Sequence, residues 1–258
     1  MNTSTGSRTV TRVRHEVRLR VLEVRAITQL SPELRRITLG GPELAGFHSA
    51  APDDHVKCFF FPPGVTPVAP APDAPRPPMR DYTPRRHDAT RGELDIEFVL
   101  HGDGPAATWA AAAKVGDRLL IGGPRGSAIV PYRAAGYLLM GDEAALPAIG
   151  RWLDELPAGT PVTVFAEVAN AASEVPLATQ AALTLHWVHR DGAAPGTMRL
   201  LEALQAARLP KRDVYAWVAA ETSVSRAIRR YLLEELGVAE DSIKTAGYWK
   251  QGVADHHD

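Results

Sequence analysis

The hydrophobic pattern of this chain changes period near Ala134, and this change limits the possible folds more than any other feature. Before it, apolar and polar residues alternate, as in Val17–Val21 and Leu94–Leu100. Period two is typical of antiparallel strands with one buried face. After it, short apolar runs alternate with segments of helical spacing, a pattern typical of a doubly wound parallel sheet. The sequence therefore predicts two domains with a boundary at residues 131–135.

The first domain is predicted to be a small antiparallel barrel or sandwich, because its short strands are separated by Gly and Pro turns. An Ala-rich helix, Pro105–Lys114, interrupts it. Eight prolines lie between Pro62 and Pro78 and exclude sheet there, so this segment is either a simple insertion or a lid over a ligand. Further strands are expected at Arg36–Leu39, Val56–Phe61, Met79–Thr83 and Arg118–Ile121.

The second domain is predicted to bind a ligand at the carboxyl ends of its parallel strands. Thr222 or Ser223 is expected to cap a late helix that Gly237 closes. The predicted strands are Tyr137–Met140, Val162–Val168, Leu183–Val188, Val214–Ala220 and Ile243–Trp249.

Composition excludes several functional classes. A net charge of −1 gives no field that would attract nucleic acid or a membrane surface. The single cysteine, Cys58, forms no internal disulfide and no four-cysteine metal site. Met1–Ser7 lacks the apolar core of a signal peptide, and no apolar run reaches membrane-spanning length, so we expect a cytoplasmic protein. The acidic and histidine-containing tail 255–258 is expected to be solvated and to bind no metal.

A first cluster of candidate residues lies at the end of a predicted strand, at Arg80, Tyr82, Thr83 and Arg85. Strand alternation places Arg80 and Tyr82 on one face. An aromatic ring can stack on a flat heterocycle, a hydroxyl can bond a ring nitrogen, and guanidinium groups can bind phosphate. The alternative is an ordinary strand with surface arginines.

A second cluster follows the strand that ends at Leu100 and opens the Ala-rich helix. Its glycines allow close approach to the backbone, and the free N–H groups of a helix start can bind an anion. A literal dinucleotide fingerprint is rejected, because the preceding strand alternates and no parallel strand follows. Trp109 is expected in the core. The candidates are His101, Gly102, Gly104, Pro105, Ala106 and Thr108.

Weaker candidates lie at three further turns. Arg125 sits in a Gly-Pro-Arg-Gly turn, and Lys250 follows the last predicted strand. Gly141, Asp142 and Glu143 stand where the first parallel strand meets its helix, which is a binding position in such sheets, although an acidic helix start is the alternative.

In this order, the clusters resemble the siderophore-interacting protein family of flavin-dependent ferric reductases, within the ferredoxin–NADP reductase-like group. The resemblance covers about residues 8–252. It rests on Arg80-x-Tyr-Thr-x-Arg85, His101-Gly-Asp-Gly-Pro-Ala106, Gly123-Pro-Arg-Gly-Ser127, Gly141-Asp-Glu-x-Ala-Leu-Pro-Ala-Ile149 and Gly247-Tyr-Trp-Lys250.

The resemblance implies a six-stranded FAD-binding barrel over 8–131 and an α/β domain for NADH or NADPH over 134–252. It implies that Tyr82 and Thr83 lie against the isoalloxazine, where they serve the catalytic step, and that Arg80, Gly104–Ala106 and Thr108 hold the FAD phosphates. His101, Gly102 and Arg85 complete the flavin site, and Gly141–Glu143 the nucleotide site.

By the same resemblance, His55 and Lys57 lie near the flavin, and Lys57 attracts an anionic ferric siderophore, with Arg125 and Lys250 as weaker candidates. The expected activity is reduction of siderophore-bound Fe(III). The alternatives are an electron-transfer oxidoreductase with another acceptor, a non-catalytic siderophore-binding module, or ferredoxin as the donor. Arg190 is a hint of a site for the 2′-phosphate of NADPH.

Overall fold

The computed structural model describes residues 10–71, 73, 75–207, 209 and 213–253. The chain divides into two compact units, one formed by Thr11–Ile129 and the other, for the described residues, mainly by 130–253. The tail 255–258, expected to be solvated and to bind no metal, lies outside the described residues, as does Arg8, where the first domain was predicted to begin. The boundaries 8–131 and 134–252 remain predictions.

The first unit is an antiparallel β structure with one α-helix. Its strands are β1 (Thr11–Arg14), β2 (Leu19–Ser31), β3 (Leu34–Gly40), β4 (Val56–Phe59), β5 (Met79–Tyr82), β6 (Pro84–Asp88), β7 (Glu93–Val99), β8 (Arg118–Gly122) and β9 (Gly126–Ile129), and its helix is α1 (Pro105–Ala112).

The seven-stranded sheet of this unit closes on itself through one bent segment. Its order is β5-β4-β8-β2-β3-β7-β6, so the two edge strands are β5 and β6. These strands are consecutive in the chain, and Thr83 alone separates them. The chain therefore runs from one edge of the curled sheet to the other, and the predicted count of six barrel strands is matched approximately, with β5 and β6 taken as one bent strand. Strands β1 and β9 form a separate antiparallel pair.

The barrel interior is filled by the alternating apolar residues that the sequence pattern identified. Leu94, Ile96 and Phe98 of β7 are fully buried, and helix α1 contributes Ala106 and Ala110 to the same cluster, with Trp109 packed against it. The helix therefore packs against the barrel core, and burial of its apolar side chains contributes to the stability of the unit. The proline-rich loop leaves the barrel after β4 and returns at Pro78, whose carbonyl accepts a 2.8 Å hydrogen bond from the Phe60 N–H.

The second unit is a five-stranded parallel sheet in the order β12-β11-β10-β13-β14. The order reverses between β10 and β13, which makes their carboxyl ends the switch point at which such sheets bind ligands. The strands are β10 (Gly136–Gly141), β11 (Pro161–Val168), β12 (Ala182–His189), β13 (Val214–Glu221) and β14 (Ile243–Trp249), and the helices are α2 (Leu146–Glu155), α3 (Arg199–Ala206) and α4 (Thr222–Glu234).

One predicted detail of this unit is wrong. Helix α4 is capped by Glu221, whose carboxylate accepts hydrogen bonds from the backbone N–H groups of Ser223 (2.6 Å) and Val224 (3.3 Å), and Thr222 is its first helical residue. The glutamate side chain is longer and reaches the free N–H groups, so it takes the capping role that the sequence rule had assigned to Thr222 or Ser223.

In the described part of the chain, no helix has the length and apolar character needed to cross a membrane.

Candidate functional site

Arg80 and Tyr82 share the interior-facing side of β5, as the sequence predicted. Their partners across the β4–β5 ladder are Cys58 and Val56, which are both fully buried. The Tyr82 ring packs at 4.4 Å, centroid to centroid, on Phe98. The phenol therefore lies at one end of the barrel, where it is half-buried. Burial raises the pKa of Tyr82 well above its usual value, so the ring stays uncharged.

Thr83 and Arg85 occupy the bend that joins the two edges of the sheet. Thr83 is buried. The Nε atom of Arg85 lies 3.9 Å from Glu97, and the same carboxylate is bound closely by Arg36 at 2.5 Å. Arg36 and Arg85 therefore lie beside the same carboxylate, and Arg85 follows Thr83 closely in the chain.

Helix α1 begins without any of the features that usually satisfy a helix N-terminus. Within its described first turn there is no side-chain cap and no acidic residue. The N–H of Thr108 bonds to the Gly104 carbonyl at 2.9 Å, whereas helical geometry gives the N–H groups of Ala106 and Ala107 no acceptor within the helix. These two N–H groups form a start that suits an anion.

Gly104 gives an independent indication of a ligand at this helix start. Its φ of −63° is open to any residue, and a Cβ built on it meets nothing within 4 Å. Neither the backbone nor the packing therefore requires glycine at this position. A phosphate that approaches the backbone would require it, so the residues fit the pyrophosphate of FAD. Gly102 differs, because its φ of +64° favours glycine by itself.

Helix α1 and Tyr82 belong to one packing cluster in the barrel. Trp109 of α1 lies 5.5 Å from Phe98 between ring centroids, and Phe98 is the ring on which Tyr82 packs. Trp109 thus belongs to the core, as predicted. The structure brings together the two strongest predicted clusters, but the Thr108 hydroxyl at present donates to the Asp103 carbonyl at 3.3 Å. His101 is exposed on the loop before α1.

Lys57, predicted to attract the substrate, is paired with an aspartate that the sequence reasoning missed. Its ammonium group lies 2.9 and 3.0 Å from the two carboxylate oxygens of Asp81, across the β4–β5 ladder. Both side chains are about one third exposed, at 36% and 31%. Arg125, in the turn between β8 and β9, is exposed.

At the switch point of the parallel sheet, the predicted acidic residues are bound within the unit. The Asp142 carboxylate accepts hydrogen bonds from the Trp249 indole at 2.7 Å and from the Ala144 N–H at 3.0 Å. Burial, with a further contribution from the charge of Glu143, raises the pKa of Asp142 to about 6. The carboxylate of Asp142 thus fixes the end of β14 next to the end of β10.

Glu143 forms a forked ion pair with Arg190, with distances of 2.7 and 2.5 Å. Glu167 is 1% exposed and lies 3.4 Å from the same guanidinium. Burial, then the charge of Asp142, raises the pKa of Glu167 to about 7. Arg190 is therefore enclosed by two carboxylates, which makes it a poor candidate for the 2′-phosphate of NADPH. Lys250, after β14, is exposed.

The sequence reasoning missed three residues, of which Asp81 and Arg35 contact partners that are far away in the sequence. Asp81 stands inside the Arg80–Arg85 cluster and would have been noticed only with the β4–β5 register in hand. Ala107 also has a backbone N–H without an acceptor within the helix, like Ala106. Its position in the first turn of the predicted helix could have indicated this. Arg35, which contacts the other end of α1, gave no signal in the sequence.

An antiparallel curled sheet followed by a parallel sheet is also the fold of ferredoxin reductases. A ferredoxin–NADP⁺ reductase from Neisseria gonorrhoeae is similar in fold, with a TM-score of 0.62 over 90% of this chain and 99% of that chain at 14% identity. Residues 23–128 match the siderophore-interacting FAD-binding domain, and residues 134–252 match the siderophore-interacting protein domain.

The chain belongs to the siderophore-interacting protein family. It is 35% identical over 250 residues to an NADPH-dependent ferric-chelate reductase of Escherichia coli, covering 92% of this chain and 95% of the relative. It is 31% identical to a ferric vibriobactin reductase of Vibrio cholerae, with 86% of each chain covered. A siderophore utilization protein from T. fusca has a TM-score of 0.89 at 40% identity, over 96% of this chain and 98% of that structure.

These comparisons confirm the predicted family, the two-domain fold class and an FAD-binding first domain. They do not test the assignment of individual site residues. The roles given to the candidate residues therefore remain predictions, as does ferredoxin as an alternative donor.

Proposed function

We propose that this protein is an FAD-dependent reductase of ferric siderophores that takes its electrons from NADPH or NADH. In this proposal the barrel holds FAD and the α/β unit holds the nicotinamide nucleotide. The observation that carries it is the uncapped, acid-free start of α1, a helix in the same packing cluster as Tyr82. Relatives named as ferric-chelate and ferric vibriobactin reductases support the reaction, and the first of these supports NADPH.

Each residue of the barrel site has a defined task. The N–H groups of Ala106 and Ala107 bind phosphate oxygens, and Arg80 adds a forked donor. Tyr82 offers an uncharged ring for stacking, and the Thr83 hydroxyl donates to a ring nitrogen. When bound, FAD accepts a hydride and releases single electrons.

The substrate side of the proposal rests on charge and on the chemistry of iron. Siderophores bind Fe(III) through hard oxygen donors, and Fe(II) is held less tightly, so reduction releases the metal. In the described residues no group of three or more His, Cys, Asp or Glu side chains could hold a metal ion. Lys57, with Arg125 and Lys250, would attract an anionic chelate.

The test combines a flavin spectrum with trapping of ferrous iron. We expect the purified protein to take up FAD, to lose its visible flavin absorbance on anaerobic titration with NADPH or NADH, and to produce Fe(II) from ferric siderophores, detected with an Fe(II)-specific chelator. A protein that takes up no FAD would contradict the proposal. Bleaching without Fe(II) formation would favour an oxidoreductase with another acceptor, and binding of the ferric siderophore without bleaching would favour a binding module.

A further inference from the structure

We propose that Arg35 is a positioning residue for FAD, which acts by fixing helix α1 from its C-terminal end. The inference rests on the proposed function, since it assumes that the start of α1 receives the FAD phosphates. It concerns a residue on β3, in a part of the barrel that does not belong to the predicted flavin cluster.

Arg35 occupies a strand position that would normally hold an apolar side chain. Along the β3–β7 ladder, Ile37 faces Ile96 and Leu39 faces Leu94, and all four side chains fill the barrel core. Arg35 is next in this series, since it faces Phe98. Arg35 is half-buried, so the part of its guanidinium that leaves water needs hydrogen-bond acceptors, and its partners explain its presence.

The partners of Arg35 are the last carbonyls of helix α1. Its Nη1 atom donates to the carbonyls of Ala110 and Ala111, both at 2.9 Å. Its Nε atom donates to the side-chain oxygen of Gln29, also at 2.9 Å. The last turn of α1 contains no basic residue of its own, so Arg35 supplies, from a different element, the positive charge that a helix C-terminus favours.

These hydrogen bonds define the direction of a helix that is otherwise held by apolar contacts. With eight residues, α1 is too short to be stable alone. The packing of Ala106, Ala110 and Trp109 on the core is largely non-directional. The bonds from Arg35 fix the rotation and the axial position of the helix, and hence the point at which the N–H groups of Ala106 and Ala107 emerge.

The experiment compares two flavins that differ in their phosphates. Riboflavin has the ring system of FAD but no phosphate, so it does not depend on the start of α1. We expect Arg35→Met to raise the dissociation constant of FAD about tenfold or more, since charged hydrogen bonds of this kind are lost, and to change that of riboflavin less than about twofold. Both are measured by flavin fluorescence on the apoprotein.

Three further variants serve as controls. Arg35→Lys keeps the charge but not the fork and should restore part of the FAD affinity; the same comparison is made on it if Arg35→Met does not fold. Gln29→Leu should have a smaller effect in the same direction. Arg25→Met removes an exposed arginine of β2, which pairs with Glu23 at 2.8 Å, and should change neither affinity.

Equal losses for FAD and riboflavin, or no loss of FAD affinity, would overturn the role of Arg35. A wild-type protein that binds neither flavin would overturn the proposed function, and this inference with it.

Discussion

Helices α1 and α4 begin in opposite ways, and the contrast shows which of the two helix starts is available to an anion. The start of α1 carries Gly104, with no side chain and no acid in the first turn. The start of α4 is occupied by the Glu221 carboxylate, which accepts hydrogen bonds from two backbone N–H groups. The positive end of α4 is therefore already neutralised within the unit, whereas that of α1 remains available for an anion from outside.

The two units also differ in their buried charge networks. In the barrel, two cations, Arg36 and Arg85, lie beside the single carboxylate of Glu97. At the carboxyl ends of the parallel strands, Glu143 and Glu167 surround a single guanidinium. We therefore expect the barrel to bind phosphate tightly, and the α/β unit to bind its nucleotide more weakly.

The largest expected effect concerns the enclosed guanidinium of the α/β unit. Arg190→Met leaves Glu143 and Glu167 buried without a counter-charge, which should lower the free energy of unfolding by about 3–5 kcal/mol at pH 8. The loss should shrink at pH 5, because the raised pKa of Glu167, about 7, leaves that carboxyl protonated and uncharged. Chemical denaturation at both pH values measures it.

The matched control lies in the barrel. Arg36→Met also removes a cation from a buried glutamate, but Arg85 remains beside Glu97. Its loss should be smaller, about 1–2 kcal/mol. If Arg36→Met proved to be the more destabilising change, the contrast between the two charge networks would be wrong.

The second effect tests the open helix start directly. Gly104→Asp places a carboxylate at the N-cap, which should stabilise the apoprotein by only about a few tenths of a kcal/mol. At the same time it should raise the dissociation constant of FAD about a hundredfold through repulsion of its phosphates. Thermal unfolding of the apoprotein and flavin titration give the two values.

Gly104→Asn separates the effect of charge from that of size, because the asparagine side chain has the same shape as aspartate and caps a helix equally well. It should weaken FAD binding much less than Gly104→Asp does. Equal losses in the two variants would mean that the space beside Gly104, and not its charge environment, controls binding.

Strand faces that depend on the local hydrophobic period were predicted correctly from the sequence. Contacts between segments that are distant in the chain were not. Alternation in Leu94–Leu100 correctly located a buried strand face, and it placed Arg80 and Tyr82 on one side of β5. It could not show that the barrel closes through Thr83, since closure depends on the pairing of all its strands. The Lys57–Asp81 and Glu143–Arg190 pairs join residues 24 and 47 positions apart, so only the strand registers bring them together.

The third effect is a pH dependence of the α/β unit. The pKa of Glu167 is raised from its usual 4.5 to about 7. Protonated Glu167 therefore contributes to the free energy of unfolding. This contribution is fully present below about pH 4.5 and is lost as the pH rises through about 7. Glu167→Gln removes this loss. Between pH 5 and pH 8, the free energy of unfolding of the variant should therefore fall by about 1–3 kcal/mol less than that of the wild type. Glu97→Gln in the barrel should instead destabilise at both pH values, because Arg36 and Arg85 lose their shared carboxylate. A Glu167→Gln variant with the same pH profile as the wild type would contradict the assignment.

The smallest effect concerns the Lys57–Asp81 pair, which is about one third exposed and lies at the proposed substrate side. A pair of this exposure contributes about 1 kcal/mol or less, so Asp81→Asn should leave the fold intact. It also leaves the Lys57 charge without its carboxylate. If Lys57 attracts the ferric chelate, the KM for an anionic chelate should fall about two- to fivefold, and the effect should decrease as salt is added.

Two controls distinguish this local effect from a change in net charge. Glu23→Gln removes one negative charge from β2, at a residue paired with Arg25, and should leave the KM unchanged. An uncharged ferric chelate should not respond to Asp81→Asn. If both variants lowered the KM for the anionic chelate equally, the total charge of the protein would explain the result. Lys57 would then lose its proposed role, while the FAD site at α1 would be unaffected, because that site rests on the helix start and not on the β4–β5 pair.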